Sequence, residues 1–462
     1  MNIVKRRRAL IYPACGAVIA MLLTAGCNGY NCTSCGGGNT VNLVGSISGL
    51  VGSRLVLQNN TTPLNQFNGE SANGSSVLLG TASLNSTYNV TVLTQPTGPS
   101  QTCLVAGGTG TIGTSNITSI LVTCTINPPR FLYAVNRGAG TVSGYTIDAA
   151  AGGLTPVAGS PFTTGSGPMA VAVDATGSYV YVANQTGGNI SAFTINRTTG
   201  VLTAVVGSPF AAGAQPSAVA VDPSTSFVYV TNRGAGTVSS YAITSGSGAL
   251  TQLSGGVVAT GGSPSAVAVD PLGEFVYTAN QSSGTFGAFS INSGILTADT
   301  GSPFPAGGTP TAFALDPSGH NIYLTNSAAQ TVTAISGLPV STGSMLNPIP
   351  GSPYATGLTP NSIAFSAVNN SIYVANQGGD SVSGYTVTPA TGALTAITGS
   401  PFASPQPAAV AVDPTGKFVY VANLSAGTVS AFAIAAADGS LAPLTGSPFA
   451  AGLQPTAIAI SD

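Results

Sequence analysis

Residues 131–462 spell one motif of about 48 residues seven times, and a repeat of that length restricts the architecture more than any other property of the chain. Each copy reads, with variations, F-V-Y-V-A-N, then G-T-V-S-x-Y-x-I, T-G-x-L-T, G-S-P-F and P-x-A-V-A-V-D-P. The Asn that closes the first segment recurs at Asn136, Asn184, Asn232, Asn280, Asn326, Asn376 and Asn423. The Pro that opens the last recurs at Pro168, Pro216, Pro264, Pro310, Pro360, Pro407 and Pro455. Every copy holds four strand candidates, for example 170–173, 179–183, 189–195 and 202–210. A four-stranded unit cannot bury both faces alone, whereas seven in a ring can. The expected fold is all-β, a seven-bladed β-propeller (131–462) behind a small N-terminal β-sandwich.

The segment Ala-Val-Ala-Val alternates the smallest apolar side chain with a branched one, which suits the crowded strand nearest the axis. With that segment innermost, the chain enters the ring at Phe131 on the second strand of a blade. The last segment, 455–460, is an innermost strand with no blade after it. It is therefore expected to pair beside 131–135 and close the ring.

Charge is scarce: 10 Lys and Arg, 12 Asp and Glu, and a net charge of -2. No basic field exists for nucleic acid, so nucleic-acid binding is excluded. Asp174, Asp222, Asp270, Asp316 and Asp413 each end an innermost strand before Pro-x-x or Ala-Thr-Gly. An Asp in that position bonds the backbone two residues on, so these acids are assigned to turns. The single His, His320, lies in one such turn without a Ser/Asp partner pattern. The propeller has no carboxylate cluster, His pair or Cys set, so neither a metal nor a cofactor is expected.

Alternate hairpins of a blade emerge at opposite ends of the ring. The Asp-Pro turns share one end, and the loops after each repeated Asn share the other. The candidate ligand face is therefore Asn136, Arg137, Asn184, Gln185, Asn232, Arg233, Asn280, Gln281, Asn376 and Gln377, beside Gln215, Gln406 and Gln454. A neutral, hydrogen-bonding rim with two Arg forks suits a glycan, a peptide, a surface protein or a small anion. The competing reading is a set of solvated loops in which Asn caps its own turn through backbone amides. Seven repetitions favour that structural role for the Asn.

Lys5 to Arg8, followed by an apolar run to Ala25, has the layout of a secretory signal. The sequence Leu23-Thr24-Ala25-Gly26-Cys27 resembles the bacterial lipobox. That resemblance implies removal of 1–26, lipidation of Cys27 and a membrane anchor on an exported lipoprotein. An ordinary cleaved signal or a transmembrane anchor are the alternatives. Asn28 is not the Asp that marks inner-membrane retention in some bacteria, which favours the outer membrane. Residues 27–40 read as a flexible tether; in it Cys32 and Cys35 suit a small disulfide loop, with a redox pair or half a zinc site as alternatives. Short strand-like stretches fill 41–125, where Cys103 and Cys124 are the expected disulfide. Residues 126–130 read as a linker. Tyr88-Asn-Val-Thr-Val-Leu-Thr-Gln-Pro-Thr-Gly with the two Cys resembles immunoglobulin-like modules of bacterial surface lipoproteins, which implies a spacer or adhesion role.

Tyr229-Val-Thr-Asn232, with Tyr181-Val-Ala-Asn184, Tyr373-Val-Ala-Asn376 and Tyr420-Val-Ala-Asn423, resembles the repeat of YVTN-type β-propellers. The unit Gly140-Thr-Val-Ser-Gly-Tyr-Thr-Ile147 with Ala-Val-Ala-Val-Asp-Pro is also similar to lactonase-type seven-bladed propellers, which include bacterial 6-phosphogluconolactonase. The resemblance implies a sugar lactone opened from a polar central pocket, and a phosphosugar calls for several basic groups. Only Arg130, Arg137, Arg197, Arg233 and Lys417 are basic in this part of the chain, and no catalytic residue is matched. Two functions follow as expectations: a binding or scaffold module at the cell envelope, or a lactonase-like hydrolase.

Overall fold

The computed structural model describes residues 40–69, 72–128, 130–338 and 346–461. The signal segment, Cys27, Cys32 and Cys35 lie outside the described residues. Among those described, no helix is long and apolar enough to cross a membrane.

Eight strands make the N-terminal part: β1 (Thr40–Ser48), β2 (Leu55–Asn59), β3 (Thr62–Phe67), β4 (Gly74–Ser83), β5 (Thr87–Thr94), β6 (Gln101–Ala106), β7 (Thr109–Thr111) and β8 (Ile117–Ile126). They form two four-stranded sheets, β4-β1-β8-β6 and β3-β2-β5-β7. The period-2 pattern explains why the sheets face one another. Leu43, Leu79 and Val122 from one sheet, with Leu55, Leu57 and Val90 from the other, enclose a single core. Cys103 and Cys124 stand directly opposite on β6 and β8 and are joined by a disulfide, as expected.

The rest of the described chain is seven sheets. Blades 2 to 7 begin with the innermost strands Pro168–Val173, Pro216–Val221, Pro264–Val269, Pro310–Leu315, Pro360–Ser366 and Pro407–Val412. Blade 1 contains Phe131–Asn136 and Thr141–Ile147, and its innermost strand is Pro455–Ser461 from the far end of the chain. That strand runs antiparallel to Phe131–Asn136, with Ile458 opposite Ala134 and Ile460 opposite Leu132. The closure expected from the repeat phase is therefore found.

Two sets of side-chain bonds join neighbouring blades, and both come from repeated positions. The Tyr of the second strand reaches a turn carbonyl of the next blade: Tyr133 to Gly200 (2.9 Å), Tyr181 to Gly248 (3.0 Å) and Tyr373 to Gly439 (2.7 Å). Tyr420 closes the ring with the same bond, to Gly152 of blade 1 at 2.9 Å. Nearer the axis, the residue after the inner Pro donates to the next inner Pro carbonyl: Ser217 to Pro264 (2.7 Å), Ser265 to Pro310 (3.1 Å) and Thr311 to Pro360 (2.9 Å). This Tyr thus bonds one blade to the next at Tyr133, Tyr181, Tyr323, Tyr373 and Tyr420, whereas the hydroxyls of Tyr229 and Tyr277 are buried without a partner among the described residues, and burial pushes the phenols of Tyr133, Tyr181 and Tyr420 well above their ordinary pKa.

The sandwich sits at the end of the ring that carries the Asp turns. The Ser53 hydroxyl donates to the Pro317 carbonyl at 3.1 Å, and Thr97 to Pro99, in the loop between β5 and β6, share a cavity wall with the innermost strands.

Candidate functional site

The repeated Asn side chains do not reach the rim surface. Asn136, Asn184, Asn232, Asn280 and Asn376 are each 0% exposed. Asn232 shows why: its Nδ2 donates to Thr237 Oγ1 (3.1 Å) and Ser239 Oγ (2.8 Å), while its Oδ1 accepts from the Gly213 amide (3.0 Å). Asn136 repeats the pattern with Thr141, Ser143 and Gly452, while Asn376 keeps the two bonds to Ser381 and Ser383 and its Oδ1 has no partner among the described residues. The loop glycine is pressed so close that a Cβ at Gly213 would lie 2.5 Å from Asn232 Cγ. The amide therefore ties a second strand, a third strand and a loop of the same blade together. The backbone-capping half of this role follows from the sequence; the hydroxyl half was written in the G-T-V-S segment, whose Thr and Ser supply the acceptors.

What the rim does present is the residue after each Asn. Arg137 Nη2 donates to Gln185 Oε1 of the next blade at 3.2 Å, and Arg233 to Gln281 Oε1 at 2.6 Å. Gln377 opens a short 3-10 turn, and its backbone N–H donates to the Thr359 carbonyl at 3.0 Å. Gln215, Gln406 and Gln454 sit one residue before an inner Pro with left-handed backbones, at φ of 53°, 43° and 53°. These groups can bind hydroxyls, amides or a single carboxylate. They include no general base.

At the opposite end the acids are consumed by their turns. Asp413 Oδ1 accepts from the amides of Lys417 (2.7 Å) and Phe418 (2.6 Å), and Oδ2 from that of Thr415 (3.1 Å). Asp174 and Asp222 do the same, so the turn assignment holds. His320 is exposed, and its backbone amide donates to Asp316 Oδ1 at 2.9 Å. No group of His, Cys, Asp and Glu among the described residues is arranged to hold a metal ion.

Between these turns and the sandwich lies an axial cavity of about 620 Å³. Every blade contributes a side chain from the end of its inner strand, such as Val173, Val269, Leu315, Phe365 and Ile460, and Thr97 to Pro99 form part of the wall. The cavity was not legible in the sequence, because its wall joins residues hundreds of positions apart.

Residues 126–212, 204–306 and 296–458 match the family described as lactonase, seven-bladed β-propeller. The chain belongs to this family. The family match begins where the sandwich ends. No curated protein matches the chain significantly. Solved structures with the same fold include a candidate 6-phosphogluconolactonase from Bacteroides fragilis, at 18% identity and a TM-score of 0.63, covering 73% of this chain and 99% of that one. A periplasmic gluconolactonase from Pseudomonas aeruginosa has 17% identity and a TM-score of 0.61, covering 72% and 99%. A protein from Lactobacillus plantarum has 20% identity and a TM-score of 0.60, covering 73% and 100%. At these identities the likeness is one of fold.

Proposed function

We propose that this lactonase-family propeller is a binding or scaffold module of the bacterial cell envelope, exported and anchored through a lipidated Cys27. The observation that carries the reading is the position of the sandwich. It occupies the Asp-turn end of the ring, so the end bearing Arg137, Gln185, Arg233 and Gln281 is the one turned away from it. An uncharged glycan or a peptide suits paired Arg and Gln groups, each of which keeps donors beyond its partner. The disulfide and the low charge agree with export.

A second reading, hydrolysis of a neutral lactone, is favoured by family membership. In that case an Arg fork would polarise the lactone carbonyl and water would attack it. One experiment separates the two: a panel of neutral and phosphorylated lactones offered to the full chain, to a soluble form starting at Val41, and to the Arg137→Ala/Arg233→Ala double variant. Turnover that the double variant loses establishes the hydrolase. Absence of turnover in a protein with a cooperative melting transition supports the binding reading, which a glycan and peptide array on the same variants then tests.

A further inference from the structure

We infer that the cleft where the linker meets blades 1 and 2 is a second binding site, for free phosphate or a phosphate monoester. It lies at the Asp-turn end of the ring and shares no residue with the rim, so it stands apart from either function proposed above. Three observations carry it. The first is a pair of like charges. Arg130 is fixed in blade 1, where its N–H donates to the Ser461 carbonyl and its carbonyl accepts from the Ile147 N–H, both at 2.9 Å. Arg197 stands in the turn after the third strand of blade 2, where Asn196 Oδ1 accepts from the Thr198 N–H at 3.0 Å. Arg130 Nη1 donates to the Arg197 carbonyl at 3.2 Å, and both residues line the same two hollows, of about 400 and 340 Å³. No Asp or Glu lines either one. Asp148 and Asp174, the acids next in sequence to the wall, accept from amides of their own turns. The Arg197 guanidinium has no partner among the described residues, so two cations share one wall with nothing to neutralise them.

The second is a break in the repeat. Arg130 lies three residues before Tyr133, and Arg197 three before Gly200, the two ends of an interblade hydrogen bond. The corresponding residues at the other bonded Tyr and Gly pairs are Ser178 and Ser245, His320 and Pro389, Asn370 and Ala436, and Lys417 and Ala149. None of those pairs holds two charged residues. The contact between blades therefore does not require the arginines, and their meeting needs another cause.

The third is a run of donors from the sandwich. Thr102 Oγ1 donates to Asn127 Oδ1 at 2.8 Å, and Asn127 Nδ2 to Ser100 Oγ at 2.7 Å. The Ser100 hydroxyl has no acceptor for its own hydrogen among the described residues. These three residues line the larger hollow with the arginines, so the run ends in an unspent O–H in the wall that holds both cations. Arg forks match the oxygens of phosphate, and two cations suit a dianion better than the single charge of a carboxylate or sulfonate. A phosphate monoester is close to a dianion at neutral pH.

The test is titration calorimetry of the purified full chain with inorganic phosphate, phenyl phosphate, dihexanoyl phosphatidic acid and benzenesulfonate. The expected result is saturable binding of the phosphates, with benzenesulfonate, of the same shape as phenyl phosphate but singly charged, weaker by about tenfold or more. Arg197→Ala removes an exposed side chain without a partner, so the fold survives, and it should weaken phenyl phosphate by about tenfold or more. Ser100→Ala should weaken it about three- to tenfold, the worth of one hydrogen bond. Lys417→Ala takes a cation from the corresponding position of blade 7 and should change affinity by less than about twofold. Preference for the diacyl carrier would assign the site to a lipid headgroup, and parity with phenyl phosphate to a soluble monoester; both uphold it. Lack of saturable phosphate binding, equal affinity for benzenesulfonate, indifference to Arg197→Ala, or an equal loss in Lys417→Ala would each overturn the inference.

Discussion

Replacing Asn232 by Ala separates a fold-holding amide from a ligand-binding one. The side chain is wholly buried and makes three hydrogen bonds, to Thr237, Ser239 and the Gly213 amide. Removing it leaves the Gly213 N–H without its acceptor, which costs about 1–3 kcal/mol, and strips a donor from two hydroxyls that can turn to other partners at a smaller penalty. A loss of about 2–4 kcal/mol is expected in total, a large fraction of the stability of a natural domain. At roughly 2 °C per kcal/mol for a chain of this size, the melting temperature should fall by about 4–8 °C. Arg233→Ala, one residue further on, removes an exposed side chain whose one side-chain hydrogen bond among the described residues is to Gln281, and should change stability by less than about 0.5 kcal/mol. Calorimetric or circular-dichroism melts of the two variants beside the parent make the comparison. Equal shifts, or an Asn232→Ala melt that coincides with the parent, would refute the assignment of the repeated Asn to the fold.

Two further outcomes follow from the ring. Ending the chain before Pro455 removes the innermost strand of blade 1 and bares Leu132, Ala134 and Val135, all fully buried, so a sharp loss of thermal stability is expected; an unchanged melting curve would sink the closure. Asp299 occupies the position that Val157, Val205, Ile349 and Ile397 hold in other blades, each buried, and one of its carboxylate oxygens is buried without a partner. Burial holds its pKa above the ordinary carboxylate value. The folded chain therefore keeps this proton to higher pH than the unfolded chain, and stability falls as pH rises through the raised pKa. Asp299→Val should then stabilise by about 1–2 kcal/mol at neutral pH, with the gain shrinking as pH drops into the carboxylate range. A gain that grows on acidification, in denaturant melts at several pH values, would contradict this.

How much of this was legible in the sequence depends on the distance over which each contact acts. Ring, blade number and closure follow from spacing alone, because every blade repeats the same local grammar and the phase of the first and last copies is written in the order of segments. The turn Asp residues were legible for the same reason, since their partners lie two to five positions away. The Asn residues were placed at the correct end of the ring but not at its surface, because burial of an amide depends on the third strand folding over it. The seat of the sandwich was not legible: Ser53 and Pro317 are 264 positions apart and neither carries a motif.

Repetition nevertheless supplies a guide to function that a single-copy fold lacks. A residue required by the ring recurs in most blades, as the Asn and Tyr do, and so carries little information about a ligand. A residue that departs from its own repeat is free of that requirement and must be accounted for separately. Phe365 in place of Val, Asp299 in place of Val or Ile, and Arg137 and Arg233 among glutamines are departures of this kind. Phe365 lies in the wall of the axial cavity, while Arg137 and Arg233 lie in the opposite rim. Of these departures, the two arginines place charge on an exposed rim where no blade contact requires it, and that rim is where a ligand should be sought first.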